Sequence, residues 1–233
     1  MTLLEMITDV KAYSGEQDTT RLKAALNNMY RAMQNKLKWP HLLIPAATPI
    51  TLSQTQQFDL ASDFKWPSRF WVVNPADGQP IYLTPTKRIL NNVNKGSSWK
   101  YRIKRKNAGT AAARGAWVVE LEEIPNASFV STYTSLYYDY YYQAANLSGD
   151  TDQTKFGDDA DSVIVFGATI LLNAKQDDTK GFQMIGTMYT DGLADLIQRA
   201  IELYGEGIVI KPGEEITEDF PSISDYGRKL RVG

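Results

Sequence analysis

The 233-residue chain has no cysteine and a single histidine, His41. The first absence removes disulfides, thiolate metal sites, thiol nucleophiles and iron-sulfur clusters, and it fits folding in a reducing compartment. The second leaves any imidazole mechanism resting on one position just past a predicted helix, where a boundary histidine is the plainer reading, and it excludes zinc sites of the usual His and Cys type. Neither GxxxxGK[ST] nor GxGxxG occurs, so no phosphate-cradling loop of those kinds is available. Long apolar runs are missing too. The longest nearly unbroken one, Val163 to Leu172, is about half the ~20 residues that a membrane-spanning helix needs, so a soluble chain without a membrane partner is expected. The N-terminal MTLLEMITDVKAY carries acidic residues where a signal peptide has a basic region, so folding in a cytosol is expected. There is no fixed-period repeat.

What is present is an ordinary globular composition, 43% apolar and 22% charged, enough for a real core. The formal net charge of -2 hides an uneven distribution. From Thr84 to Gly115 the chain carries Lys87, Arg88, Lys95, Lys100, Arg102, Lys104, Arg105, Lys106 and Arg114 with no acidic residue, whereas Asp139 to Asp195 is dominated by aspartates. Such asymmetry marks a nucleic-acid surface, or two surfaces that attract each other between copies of one protein.

Read along the chain, Thr2 can cap a helix from Leu3 to Tyr13. Asp18 or Thr19 can cap a second, whose apolar positions Leu22, Leu26, Met29, Met33 and Leu37 recur at helical spacing until Pro40. ITLSQTQQFDL reads as a strand. The segment from Asp59 to Pro85 is rich in proline and turn residues, so its apolar pieces FWVV and IYL suit short strands, and a short helix is expected from Pro85 through Val93. SWKYRIKRKN alternates strictly and pairs with AWVVELEEIP as a hairpin across the Gly109 to Gly115 turn; a third strand, FVSTYTSLYYDYYYQA, begins at Phe129. Helices at about 160–175 and 183–204 follow, and the remainder reads as an extended arm. The expected fold is α+β: N- and C-terminal helices (about 3–38 and 160–204) form an antiparallel bundle, a β-rich insertion spans about 50–142, and residues 205–233 form a C-terminal arm outside a single domain, 1–204.

Four features bear on function. In DTDQTKFGDDAD the residues Asp150, Asp152, Thr154 and Asp161 partly follow a calcium loop, but Lys155 stands where glycine is needed, and Asp158, Asp159 and Asp161 read better as helix N-terminal carboxylates. No acid pair for glycoside hydrolysis stands out. Lys100, Arg102, Lys104 and Lys106 share one strand face and could track a phosphate backbone without reading sequence, or contact a neighbouring subunit. Tyr133, Tyr137 and Tyr141 share one face of the third strand with Asp139, while Tyr138, Tyr140 and Tyr142 share the other with Leu136. A strand aromatic on both sides suggests that its second face meets another surface, with Tyr137, Tyr138 and Tyr141 as candidate subunit contacts.

The layout of TTRLKAALNNMYRAMQNKLKWPHLL, an ITL strand, a β insertion, a tyrosine-rich strand, VIVFGATILLNAKQDD and GFQMIGTMYTDGLADLIQRAIELYG resembles the head-to-tail connector or adaptor proteins of tailed bacteriophages, including the tail tubular protein A (gatekeeper) family. The likeness covers most of the chain. It implies a non-enzymatic virion protein of the neck, made in the host cytoplasm and using no cofactor. Its homo-oligomeric ring, commonly of twelve copies, would dock beneath the portal protein, continue into a downstream tail or nozzle protein and surround DNA. It further implies a portal-docking arm, here Phe220, Ile223, Tyr226, Arg228, Lys229, Leu230 and Arg231. The alternatives are a peptidoglycan- or polysaccharide-active tail protein with an Asp/Glu pair, and a monomeric, non-specific nucleic-acid-binding module.

Overall fold

A computed structural model describes residues 1–86, 95–106, 116–173 and 179–205. The predicted helix after Pro85, the Gly109 to Gly115 turn and the C-terminal arm, with its seven candidate docking residues, lie outside the described residues.

The chain begins with α1 (Leu3–Ser14), closed at its start by a reciprocal capping box in which Thr2 accepts from the Glu5 amide and Glu5 accepts from the Thr2 amide. Helix α2 (Thr19–Gln34) is capped by Asp18 and buries Leu22, Leu26, Met29 and Met33, as their spacing predicts. It stops six residues before Pro40 because the Trp39 indole, folding back, donates to the Met33 carbonyl at 2.9 Å and meets a carbonyl left over at the helix end. Leu37 is buried although it lies past the helix. Pro40 instead opens a 3-10 turn, Pro40–Leu42.

The sheet region follows as β1 (Leu43–Ile44), β2 (Ile50–Thr51), β3 (Gln57–Asp59), β4 (Phe64–Val73), β5 (Pro80–Tyr82), β6 (Thr84–Pro85), β7 (Lys95–Gly96), β8 (Lys100–Arg105), β9 (Trp117–Leu121), β10 (Ile124–Pro125), α3 (Ala127–Thr132) and β11 (Ser135–Tyr142). One sheet has the order β1-β11-β4-β5 with β2 also on β11; a second runs β3-β9-β8-β6, and β7 pairs with β10. The chain then returns to helix as α4 (Asp158–Asn173) and α5 (Thr179–Tyr204), completing an α+β fold.

Three expectations change. The ITLSQTQQFDL segment breaks into β2 and β3, which join different sheets. The residues from Phe129 to Thr132 are helical rather than extended, because the Asn126 side chain accepts from the Phe129 amide and starts a turn there. FWVV is the end of a ten-residue strand that runs straight through Pro67. The register explains how. Against β11, Arg69 faces Asp139 and Pro67 faces Tyr140, so Ser68 is an extra residue; Trp66 faces Tyr141 and Phe64 faces Tyr142, so Lys65 is another. Two bulges flank Trp66 and Pro67, and a bulge is where a sheet tolerates proline.

Two hydrophobic cores result. One gathers α1, α2, α4 and α5 and includes Leu3, Leu22, Tyr30 and Ile164; the other lies within the sheets and includes Phe70, Val119, Leu121 and Leu136. Within the first, α4 is packed by the other three helices. Its Gly167 admits the Met29 and Tyr189 side chains so closely that a Cβ there would sit 2.3 and 3.0 Å from them.

Candidate functional site

Strand β11 presents its tyrosines to two environments. Leu136, Tyr138 and Tyr140 enter the sheet core, where the Tyr138 ring stacks on Phe70 (5.4 Å between centroids, 7° between planes) and Tyr140 stacks on Phe64. The Tyr140 hydroxyl donates to Asp63 at 2.8 Å, and burial raises the pKa of both phenols. Tyr138, at 4% exposure, lies in the core of its own chain, whereas Tyr137 and Tyr141 are half-buried.

On the opposite face, Tyr137, Trp71 and Tyr82 lie in register across β11, β4 and β5. Tyr137 stacks on Trp71 at 5.8 Å and 17°, Trp71 meets Tyr82 at 6.2 Å, and Tyr82 is 52% exposed. The Arg69 guanidinium stands 5.7 Å from the Trp71 ring centre and 5.9 Å from that of Tyr82, within cation-π range. Its Nε pairs with buried Asp139, whose other oxygen accepts from the Ala46 amide at 2.7 Å. Ala46 has φ +46°, a left-handed conformation that an alanine adopts only when held there. One carboxylate thus fixes both the arginine above the aromatic row and the strained turn linking β1 to β2.

The basic strand face exists as predicted, but each of its four cations already has a carboxylate. Lys100 Nζ pairs with Glu122 at 3.2 Å; Arg102 Nε and Lys104 Nζ both reach Glu120 at 2.5 Å; Lys106 Nζ pairs with Asp59 at 2.8 Å. Burial pushes the Glu120 carboxyl up, but the Lys104 and Arg102 hydrogen bonds outweigh it and leave the pKa below the ordinary range. The signal was present in VVELEE: the hairpin sets Glu120 opposite Arg102, and Glu120 and Glu122, two apart on or just past β9, fall on one face. Lys87, Arg88 and Arg114 lie outside the described residues.

The aspartate-rich turn does not cap α4 by side-chain bonds to its amides. Asp158 and Asp161 accept from the Met1 amino group, whose pKa their hydrogen bonds raise to about 10, and Asp159 pairs with Arg199 of α5 at 3.2 Å. Asp161 also takes the Thr154 hydroxyl, Asp152 accepts from the Ser148 and Gly149 amides, and Asp150 pairs with Lys23. The carboxylates still sit in the first turn of α4, where the helix dipole favours them. His41 is exposed but lies against the Trp39 and Phe156 rings, and the desolvation this causes lowers its pKa. Sequence reasoning missed three buried donors with no acceptor among the described residues: Gln34 Nε2, Lys65 Nζ and Trp66 Nε1. Nothing in an isolated KW step marks it as buried; the bulge does that.

Residues 1–209 match the family model described as SU10 adaptor protein. The chain belongs to that family of phage adaptor proteins. The head-to-tail adaptor expected from the layout is thereby supported over nearly the whole chain, and the likeness to tail tubular protein A is secondary to it. No curated protein matches the chain. An adaptor is a virion component that associates with other head or tail proteins, which points to a structural rather than a catalytic role. No helix among the described residues is long and apolar enough to cross a membrane.

Proposed function

We propose that this adaptor forms the homo-oligomeric ring, of twelve copies, that joins the portal to the downstream tail or nozzle protein and lets DNA pass through its centre. The observation that carries the reading beyond family membership is the row of exposed Tyr82 and half-buried Trp71 and Tyr137 with Arg69 fixed over it. This is a rigid aromatic and arginine surface of the composition that protein interfaces favour, already ordered in the single chain. Tyr141 extends the same strand face. The internal pairing of Lys100, Arg102, Lys104 and Lys106 supports DNA passage without tight binding, because cations matched by carboxylates release few counterions on meeting phosphates. Phe220, Ile223, Tyr226, Arg228, Lys229, Leu230 and Arg231 are assigned to portal docking by the family resemblance.

Native mass spectrometry of the full chain, alone and mixed with portal rings from the same genome, tests the proposal. The expected result is a portal-dependent complex with about as many copies as the portal has subunits, lost when Trp71 and Tyr137 are replaced by serine while the monomer stays folded by circular dichroism. A chain that stays monomeric with every portal refutes it.

A further inference from the structure

The sheet region is inserted between α2 and α4, so the backbone passes between the two cores just twice: outward through Trp39–Leu43 and back through Tyr142–Ala144. These two passages lie side by side, since Leu43 pairs with Tyr141 in the antiparallel register. At the return passage, consecutive amides are held by opposite bodies. The Gln143 amide donates to the Asp63 carbonyl of the sheet region at 2.7 Å, and the next amide, Ala144, donates to Gln34 Oε1 of α2 at 3.0 Å. Among the described residues the main contact between helices and sheets is the Pro40–Leu42 turn against β11, while Tyr142 packs partly into both cores. Trp66 is buried but belongs to neither core.

Among the described residues, three of the four buried side-chain polar atoms without a partner belong to residues near this boundary; the fourth, Asn173 Oδ1, is at the end of α4. Gln34 Nε2 stands beside the Ala144 bond on the helical side, and Lys65 Nζ and Trp66 Nε1 belong to the stretch of β4 opposite Tyr141 and Tyr142. All three are donors, so they cannot satisfy one another. A buried donor without an acceptor destabilises the closed arrangement and is relieved when water enters. Two separate apolar cores, two adjacent backbone passages and unsatisfied donors on residues that bond to or pair beside the return passage are the features of a hinge.

We infer that the helical body and the sheet body are joined by a two-stranded hinge at Trp39–Leu43 and Tyr142–Ala144, which opens as a unit while both cores stay folded. The device belongs to the single chain and requires no ring. In a head-to-tail adaptor it would let one body follow the portal while the other keeps its place.

Hydrogen exchange followed by mass spectrometry on the full chain tests the hinge. Amides from Leu42 to Ile44 and from Tyr142 to Ala144 are expected to exchange together, about tenfold or more faster than those of Leu26 to Met33 in α2 and Val118 to Leu121 in β9. Lys65→Met, and separately Trp66→Phe, should slow the hinge amides. Equal protection of hinge and cores in the unaltered chain overturns the inference, as does a pair of variants that leave the hinge amides unchanged.

Discussion

Lys65 is the position at which stability should respond most to a single change. Its amine is buried, its Nζ has no hydrogen-bond partner among the described residues, and desolvation lowers its pKa from 10.5 to about 7. In the unfolded chain the amine titrates near its ordinary value, so between pH 7 and 10.5 the unfolded state holds a proton that the folded state has released. Stability therefore rises with pH across that window, and the penalty is largest below it. At about 1.4 kcal/mol for each factor of ten, the full gap corresponds to about 5 kcal/mol below pH 6, about 4 at pH 7 and about 2 at pH 9. Lys65→Met keeps a flexible chain of similar length and removes the titrating group. Guanidinium unfolding of both proteins, followed by tryptophan fluorescence at several values from pH 6.5 to 9.5, gives the difference directly. The variant should be the more stable at every pH, by a margin that shrinks by about half between pH 7 and 9. A margin that does not change with pH, or a variant less stable than the parent, would refute the reasoning, since either result means that the amine is not charged at a cost inside the fold.

Three further outcomes follow from contacts already described. Asp139→Ala removes the partner of Arg69 and the acceptor that holds the Ala46 turn; a loss of about 3 kcal/mol in chemical denaturation is expected, with faster amide exchange from Ala46 to Ile50. Glu120 has a folded pKa below its unfolded one, so its contribution is present above the usual carboxylate range and lost as pH falls through the lowered value. Glu120→Gln should cost about 2 kcal/mol at pH 7 and leave a shallower loss of stability on acidification than the parent shows. Gly167→Val places branches where Met29 and Tyr189 already press, and thermal unfolding should register about 2 kcal/mol of destabilisation, whereas Gly186→Ala, which meets nothing within 4 Å, should be neutral or stabilising.

The helices were legible because their signals are local. Thr2 and Asp18 are caps, Leu22 to Met33 is a 3.6-residue period, and Val163, Phe166 and Ile170 recur at helical spacing, although the fully buried face of α4 includes Val163, Ile164 and Ala168. The β8 and β9 hairpin was legible for the same reason, being an alternating pattern joined to another by a short connection. What escaped was set by partners distant in sequence. Pro67 argues against a strand until β11 supplies the register in which bulges at Lys65 and Ser68 absorb it. Phe129 to Thr132 has β-forming residues, yet one hydrogen bond from Asn126 turns it into a helix. At the candidate site, the sequence showed that both faces of β11 are aromatic but not that Trp71, Tyr82 and Arg69 complete one of them, because those residues come from two other strands.

Charge patterning illustrates how a linear reading can miss partners within the same chain. The cations of β8 and the acids near the end of β9 are separated by a hairpin loop, so a window along the chain sees one block of each sign. The antiparallel register brings Arg102 and Lys104 onto Glu120 and Lys100 onto Glu122, and an apparent surface for polyanions becomes a cross-strand ladder. The aromatic row is the reverse case. Its three rings contribute nothing to net charge and are scattered over residues 71, 82 and 137, yet the sheet gathers them into one face with an arginine held above. Aromatic side chains bury much area at little conformational cost, so a face already stacked in the monomer loses little more freedom on docking. In the ring proposed above, a shared surface of that kind would suit a part that must hold its place while a highly charged polymer moves past it. Tight phosphate binding would slow the polymer, whereas contacts between neighbouring subunits through stacked rings would be indifferent to its passage.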